Sequence, residues 1–415
     1  MSALRELAAR AAAAVDPDEV VALTCALVRI PSVIRPGDPA GTEAAVAAYL
    51  AEDLRARGLM VSTSLAAPGR PNVVADWETG RPGRGLILEG HTDVVTEGDP
   101  AAWTYPPFDA VVADGRIWGR GACDMKGGLA AAIVALDAVR RTVPDLPGRV
   151  RLAALADEEG LMLGVKAFVR AGGCQGFDAA VVCEPEENEL CLYQKGAMRV
   201  LATFVGKMAH GAMPYAGANP IPWAAQFVLG LGELEHREQA RVGSHPFLGL
   251  PHVTPTTMRA PVHGEPQFNV MAGEAQVTVD VRTVPGQDHA AVLAAMEALA
   301  EGTRAGDPRA AIRLELVEDR PWIATPADAP IVQAVARACE VALGRPARYG
   351  GVPGATDGTF LHAWGGLPIV TIGPGKRELP HQVDEYVAID ELVAAARLYA
   401  ATIVYYLGAG EEDAP

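Results

Sequence analysis

Four short apolar runs constrain the fold of this chain more than any other feature. Residues 86–88, 150–156, 179–183 and 367–372 are each followed by a cluster of functional-group residues and, in most cases, by a stretch with helical spacing. Runs this short and this apolar fit the buried strands of a sheet that carries helices on its faces. Ligand sites in open α/β sheets gather beyond the carboxyl ends of the strands. The residues that follow the runs, His91, Glu158, Glu184 and Gly373, are therefore the first candidates for chemistry.

Elsewhere the periodicity predicts helices. Apolar residues recur at helical spacing from Pro17 to about Ile30 and from Thr42 to Arg57, so the N-terminus reads as two amphipathic helices. A final helix is expected to start at Asp390, as its N-cap, and to end near Gly408. Between Lys195 and about Val317 the order changes to strand 198–205, helix 219–235, strands 252–260 and 275–283, helix 288–301 and strand 312–317. That β-α-β-β-α-β order is a ferredoxin-like α+β sandwich. Helices and strands resume afterwards, at 330–343 and 367–372. Residues 195–318 thus read as a domain inserted into an α/β domain made of residues 1–194 and 319–415.

With 415 residues, half of them apolar, the chain has material for sizeable cores, and a disordered or fibrous protein is excluded. A formal charge of −16 argues against nucleic acid or an anionic membrane as partner and leaves small substrates open. Six scattered cysteines without paired spacing, and no recognisable leader, predict a cytoplasmic protein with free thiols. The alanine-rich stretches after Ser2 and Gly128 are broken by charges and too short to cross a bilayer, so no membrane segment is expected.

The candidate chemistry is a constellation of individually weak signals. His91-Thr92-Asp93 is either a structural histidine at a strand end or a metal ligand whose second ring nitrogen donates to Asp93. Asp124, within the glycine-flanked stretch from Gly119 to Gly128, is either a helix cap or a carboxylate bridging two cations. Its neighbour Cys123 reads as a small apolar residue. Asp157-Glu158-Glu159 places three acids together at a strand end, where they repel one another unless a cation compensates them; an exposed acidic loop is the alternative. Glu184 holds the same position on another strand, whereas Glu186, Glu187 and Glu189 read as a solvated turn. His381 follows the Gly373-Pro374-Gly375 turn and alone would be a surface histidine. Together His91, Asp124, Glu159, Glu184 and His381 form a ligand set for two divalent ions, zinc first, with cobalt or manganese as alternatives. Glu158 is left over as a general base.

These motifs, in this order, resemble the M20 metallopeptidases, the group of acetylornithine deacetylase, succinyl-diaminopimelate desuccinylase, aminoacylase and glutamate carboxypeptidase. The resemblance covers nearly the whole chain. It rests on His91-Thr92-Asp93, Gly119 to Gly128, Asp157-Glu158-Glu159, Glu184-Pro185, Ala209-His210-Gly211 and the tail from Gly373 to Glu385. It implies a zinc-peptidase-like catalytic domain with a mixed, largely parallel sheet, and an inserted lid or dimerisation domain. By the same resemblance Asp124 bridges the metals, His91 and Glu184 complete one site, and Glu159 and His381 complete the other. Glu158 is then the base that works with metal-bound hydroxide, and Asp93 orients His91. His210 corresponds to a lid histidine that, in dimeric members, reaches the neighbouring subunit's active site. Arg282 corresponds to an arginine that binds the substrate carboxylate, although a pairing with Asp280 on a wet sheet face is equally open. Asn269, Gly354, Thr356, Gly373 and Gly375 fall where relatives line the substrate pocket.

The implied activity is hydrolysis of the amide in a small N-acyl amino acid or related acylated amine, by a homodimer. A metallo-dipeptidase or carboxypeptidase, or a non-catalytic binding protein on the same fold, are the alternatives. Desuccinylases carry Gly-Gly-Thr-Ser-Asp-Gly-Arg in the late loop, where this chain has Pro353-Gly354-Ala355-Thr356-Asp357-Gly358-Thr359. His236, His245, His252, His263, His289 and His362 read as surface or structural residues.

Overall fold

A computed structural model describes residues 3–35, 38 and 41–412. The chain separates into two compact units, one formed by residues up to 192 with 325–351 and 356 onward, the other by 193–324 with 352–355. The inserted stretch read from the sequence as 195–318 lies inside the second unit, and the short 352–355 segment joins it from a distant part of the chain.

In the first unit the Arg149–Leu155, Gly85–His91, Ala179–Val182 and Ile369–Thr371 strands lie side by side, all parallel, in that spatial order. They are the four apolar runs. Leu88 stands opposite both Leu152 and Val181, and every residue of the Gly85–His91 and Ala179–Val182 strands is buried, as parallel strands covered on both faces must be. An antiparallel hairpin, Met60–Ala67 with Arg70–Glu78, extends the sheet beyond Arg149–Leu155. The Leu190–Gln194 strand pairs antiparallel with Ile369–Thr371 on the other side, so the sheet is mixed around a parallel centre.

The Lys126–Thr142 helix crosses this sheet with its first turn pressed onto a strand end. A Cβ at Gly128 would sit 2.0 Å from the Cys183 carbonyl oxygen, so only glycine allows that approach. The Ile389–Glu412 helix starts one residue before the expected N-cap Asp390 and runs past Gly408; Asp390 and Glu391 occupy its first turn, where they suit the helix dipole. By length and composition its 389–409 stretch is apolar enough to cross a membrane, yet most of that stretch is buried inside the protein. It is a core helix, packed on the Pro330–Ala342, Lys126–Thr142 and Ala3–Ala13 helices. The Ala3–Ala13 helix is an addition to the two N-terminal helices expected. Its buried face is Leu4, Ala8, Ala11 and Ala12, and an alanine stripe gives little hydrophobic contrast in sequence.

In the second unit the His252–Arg259, Glu274–Thr283, Gly196–Val205 and Ala311–Arg320 strands form an antiparallel sheet in that order. With the Pro220–Val242 and His289–Gly306 helices this is the ferredoxin-like β-α-β-β-α-β arrangement. Val277, Val279 and Val281 alternate with half-buried residues along one strand and pack with Phe204, Phe227, Leu231 and Met296 into the core. Asn219 and Asp288 cap the two helices, accepting the N–H groups of Ile221 and Ala290 at 3.1 and 2.9 Å. The first helix continues past Glu235 until Gly243, whose φ of 73° ends it.

Candidate metal centre

Each parallel strand delivers a donor at its carboxyl end. His91 is the last residue of its strand, Asp157, Glu158 and Glu159 follow Leu155 closely, and Glu184 lies two residues beyond Val182. The Ile369–Thr371 strand leads through Gly373 to His381. Asp124 comes from the turn before the Lys126–Thr142 helix.

These side chains converge. Asp124 Oδ1 is 3.0 Å from His91 Nε2, while its Oδ2 is 3.5 Å from His381 Nε2. His381 Nε2 is 2.9 Å from Glu159 Oε1, and His91 Nε2 is 3.6 Å from Glu184 Oε1. One donor atom each from His91, Asp124 and Glu159 lie within 4.8 Å of one another, and so do those from His91, Glu158 and Glu184. A carboxylate with one oxygen toward each of two imidazoles is the geometry a bridging ligand requires.

The tautomer of His91 is set by main chain. Its Nδ1 is 2.9 Å from the Asp93 carbonyl oxygen, which only accepts, so Nδ1 carries the hydrogen and Nε2 faces Asp124 and Glu184. This corrects the expected role of the Asp93 side chain. Its nearest carboxylate oxygen is 3.6 Å from Nδ1, and its two oxygens instead accept the N–H groups of Glu158 and Glu159 at 3.1 Å each. Asp93 thus orients His91 through its carbonyl and the acid turn through its carboxylate.

Electrostatics mark these groups as deprived of counter-charge. Burial, with Asp124 adding to it, pushes the Glu184 carboxyl well above the ordinary range. Burial also pushes Glu158 well above it, with Glu159 and Asp357 as repelling neighbours. Glu159 rises for the same reasons, burial first and Asp124 next. At His91 burial opposes a charged ring, but Glu184, Asp124 and Asp93 outweigh it and raise the imidazole pKa. Asp124 moves the other way: burial would raise it, yet hydrogen bonds from His381 and His91 hold it below the usual carboxylate range. Acids crowded around two imidazole nitrogens, His91 buried and His381 exposed, are stable as a set only when protons or cations fill the space between them. The donor set, with Asp124 between the two imidazoles, fits divalent ions.

The loop that presents Asp124 is fixed by a residue that sequence reasoning left without a role. Glu385 is fully buried, and its Oε1 accepts the N–H groups of Gly121, Cys123 and Asp124 at 3.0, 2.9 and 3.0 Å. Its Oε2 pairs with Arg120 of the same loop. Cys123 is buried against Gly375, consistent with an apolar role, and burial pushes its thiol pKa well up. The reading of Glu186 as solvated is corrected. It is buried and paired with Arg377, which also reaches Glu189 at 3.0 Å, and only Glu187 of that group is exposed.

The remaining expected site residues have mostly local partners. Thr356 is buried and its hydroxyl accepts the Gly358 N–H at 3.2 Å. A Cβ at Gly373 would meet the Glu184 carbonyl oxygen at 2.5 Å, and Gly375, at φ 105°, would meet Cys123 Sγ at 2.4 Å, so both glycines serve close packing of the turn. In the second unit, His210 is exposed with Nδ1 accepting the Ala212 N–H at 3.0 Å, and the carbonyl of exposed Asn269 accepts the Gly211 N–H at 2.7 Å. Arg282 forks onto Asp280 at 2.6 and 3.2 Å, the local pairing that the sequence left open. Gly354 borders open space, where a Cβ would meet nothing within 4 Å. His289, expected to be a surface or structural residue, bridges Asp319 at 2.5 Å and Thr283 at 2.6 Å.

Comparison with known proteins shows the family. The sequence profile of peptidase family M20/M25/M40 matches residues 87–405. Succinyl-diaminopimelate desuccinylase of Cereibacter sphaeroides is 31% identical over 397 residues, 92% of this chain and 97% of that protein. The probable succinyl-diaminopimelate desuccinylase of Staphylococcus epidermidis is 28% identical over 362 residues, 81% of this chain and 87% of that protein. Among solved structures, the M20 family metallo-carboxypeptidase Sso-CP2 of Sulfolobus solfataricus superposes with a TM-score of 0.77 at 19% identity, covering 94% of this chain and 99% of that one. The YXEP protein of Bacillus subtilis, described as a dinuclear metal binding peptidase from the M20 family, gives 0.70 at 18% identity over 94% and 98%. At these identities the structural likeness is one of fold.

Proposed function

Because this chain belongs to peptidase family M20/M25/M40, a family of metal-dependent hydrolases, we propose that it is a two-metal amidohydrolase that removes the acyl group from a small N-acyl amino acid or related acylated amine. The observation that carries this reading is Asp124 with one oxygen toward His91 and the other toward His381. His91 and Glu184 would hold one ion, Glu159 and His381 the other, with Asp124 shared. Zinc suits imidazole and carboxylate donors best, with cobalt or manganese as substitutes. Two such ions, when bound, supply Lewis acidity for the amide carbonyl and make water a nucleophile near neutral pH.

The rest falls to the protein's own groups. Glu158, buried beside the ligands, takes the proton of the attacking water on its carboxylate and returns it to the leaving nitrogen. Asp93 keeps Glu158 in place through the main chain. We assign His210 to the oxyanion, supplied across a homodimer formed by the second unit, and Arg282 to the substrate carboxylate, with Asn269, Gly354, Thr356, Gly373 and Gly375 around the pocket. The chemistry needs no membrane or nucleic acid, in keeping with a cytoplasmic enzyme.

The desuccinylase-named relatives favour an N-acyl substrate over a dipeptide, while the 353–359 loop differs from the desuccinylase pattern and points away from the succinyl group itself. Assay of N-acetyl, N-succinyl and N-formyl amino acids against dipeptides, with zinc or cobalt supplied, tests the proposal. Turnover of N-acyl amino acids at least tenfold above any dipeptide is expected. The reverse order would make the chain a metallo-dipeptidase, in line with the name of one structural neighbour, human carnosine dipeptidase 1.

A further inference from the structure

The turn that carries Glu158 and Glu159 is held from a part of the chain that contains none of the motifs. Glu43, just before the Ala44–Ala56 helix, is fully buried, and its Oε1 accepts the Asp157 N–H at 3.1 Å. Arg70, the first residue of the Arg70–Glu78 strand, forks onto that carboxylate. Its Nε lies 2.6 Å from Oε2 and its Nη2 2.6 Å from Oε1. The same Nη2 reaches Asp157 Oδ1 at 2.6 Å. Asp157 stands at φ 69°, in the left-handed region that residues with a side chain avoid unless their surroundings impose it. Its Oδ2 in turn accepts the N–H groups of Leu161 and Leu163 at 3.1 Å each.

Three consecutive N–H groups therefore end on buried carboxylates: Asp157 on Glu43, and Glu158 and Glu159 on Asp93. Asp93 is tied to the centre through His91, so it moves with the ligands. Glu43 and Arg70 anchor the other side of the turn to the Ala44–Ala56 helix and the hairpin. We propose that Glu43 and Arg70 are positioning residues for Glu158 and Glu159, setting through Asp157 the main-chain path that aims the base and one metal ligand into the centre. This rests on the reading of Glu158 as base and Glu159 as ligand. A purely structural role, joining helix to sheet edge, would cost stability and leave the chemistry of the folded protein unchanged.

The test is the double variant Glu43→Gln/Arg70→Met, which removes both charges of the pair and leaves the Asp157 carboxylate to the Leu161 and Leu163 N–H groups. Cobalt(II) alone is titrated in and followed by visible absorption; kcat and KM are measured on an N-acyl amino acid that the unmodified chain hydrolyses. A displacement of about 1 Å at a catalytic group costs about a hundredfold in rate, so kcat should fall about ten- to a hundredfold with KM within about twofold. The cobalt spectrum should change in parallel. Glu43→Gln alone keeps an acceptor for the Asp157 N–H and should recover most of the turnover. Should the double variant not fold, Arg70→Lys, which keeps the charge and loses the fork, is judged by the same two measurements. A folded variant with unchanged kcat and cobalt spectrum overturns the proposal. Glu158→Gln, run in parallel, separates the two failures: if it keeps its turnover, the base reading falls and the proposal with it.

Discussion

The two units of this protein solve opposite problems. In the ferredoxin-like unit the polar residues singled out from the sequence are satisfied locally: Arg282 by Asp280, and His210 by the main chain of its own turn. In the α/β unit, Glu158, Glu159 and Glu184 are crowded into a cleft that pushes each carboxyl upward, and the N–H groups around them go to other acids, Asp93 and Glu385. A locally satisfied polar face shows no missing partner until a substrate arrives. A buried cluster of acids that the fold holds together at a cost calls for a cation, and it is there that a metal would act.

The sharpest way to break this contrast is Glu158→Gln. Metal content should stay at that of the unmodified protein while kcat falls by about a hundred- to ten-thousandfold, the usual worth of a general base; an active variant would leave the centre without its proposed base. Truncating the other unit's core should do the opposite. Phe227→Ala is expected to cost about 3–5 kcal/mol in a denaturant titration, with metal content unchanged in the protein that remains folded. Metal loss in step with that destabilisation would mean that the two properties are not separable.

A smaller effect decides what Arg282 does. If it binds a substrate carboxylate, Arg282→Ala should raise KM about ten- to a hundredfold, the value of a charge-assisted hydrogen bond of about 1.5–3 kcal/mol, at unchanged melting temperature. An unchanged KM would leave it as the partner of Asp280 alone. The smallest effect is one of pH. Hydrogen bonds to Asp124 and Glu159 push His381 up to about 10, so in the metal-free protein it carries a proton at neutral pH that a metal must displace. Affinity at that site should therefore rise with pH, by up to about tenfold per unit below about pH 10, and weaken as pH falls. Calorimetric metal titrations at pH 6, 7 and 8 measure the slope, and a flat profile would remove His381 from the ligand set.

Much of this was legible in the sequence, for reasons that differ between the units. The four parallel strands announced themselves as apolar runs because both of their faces are buried, and their carboxyl ends led directly to His91, Glu158 and Glu184. The second unit was legible through alternation and helix periodicity, although the capping roles of Asn219 and Asp288 emerged only from the structure. What escaped were groups whose roles depend on distant partners. Glu385 binds a loop more than 260 residues away, and Glu43 meets Asp157 from 114 residues away. A buried charge leaves no periodic trace, so neither spacing nor composition could assign them. Glu186 was misread for the same reason, since Arg377, which neutralises it, lies 191 residues further on.

Asp124 serving two ions at once is the feature on which the proposed chemistry depends most. Metal analysis of extensively dialysed protein, unmodified and as Asp124→Ala, tests this directly. Two divalent ions per chain are expected in the first, with at least one lost in the folded variant. A protein that holds no metal, or an Asp124→Ala variant that keeps both ions, would contradict it.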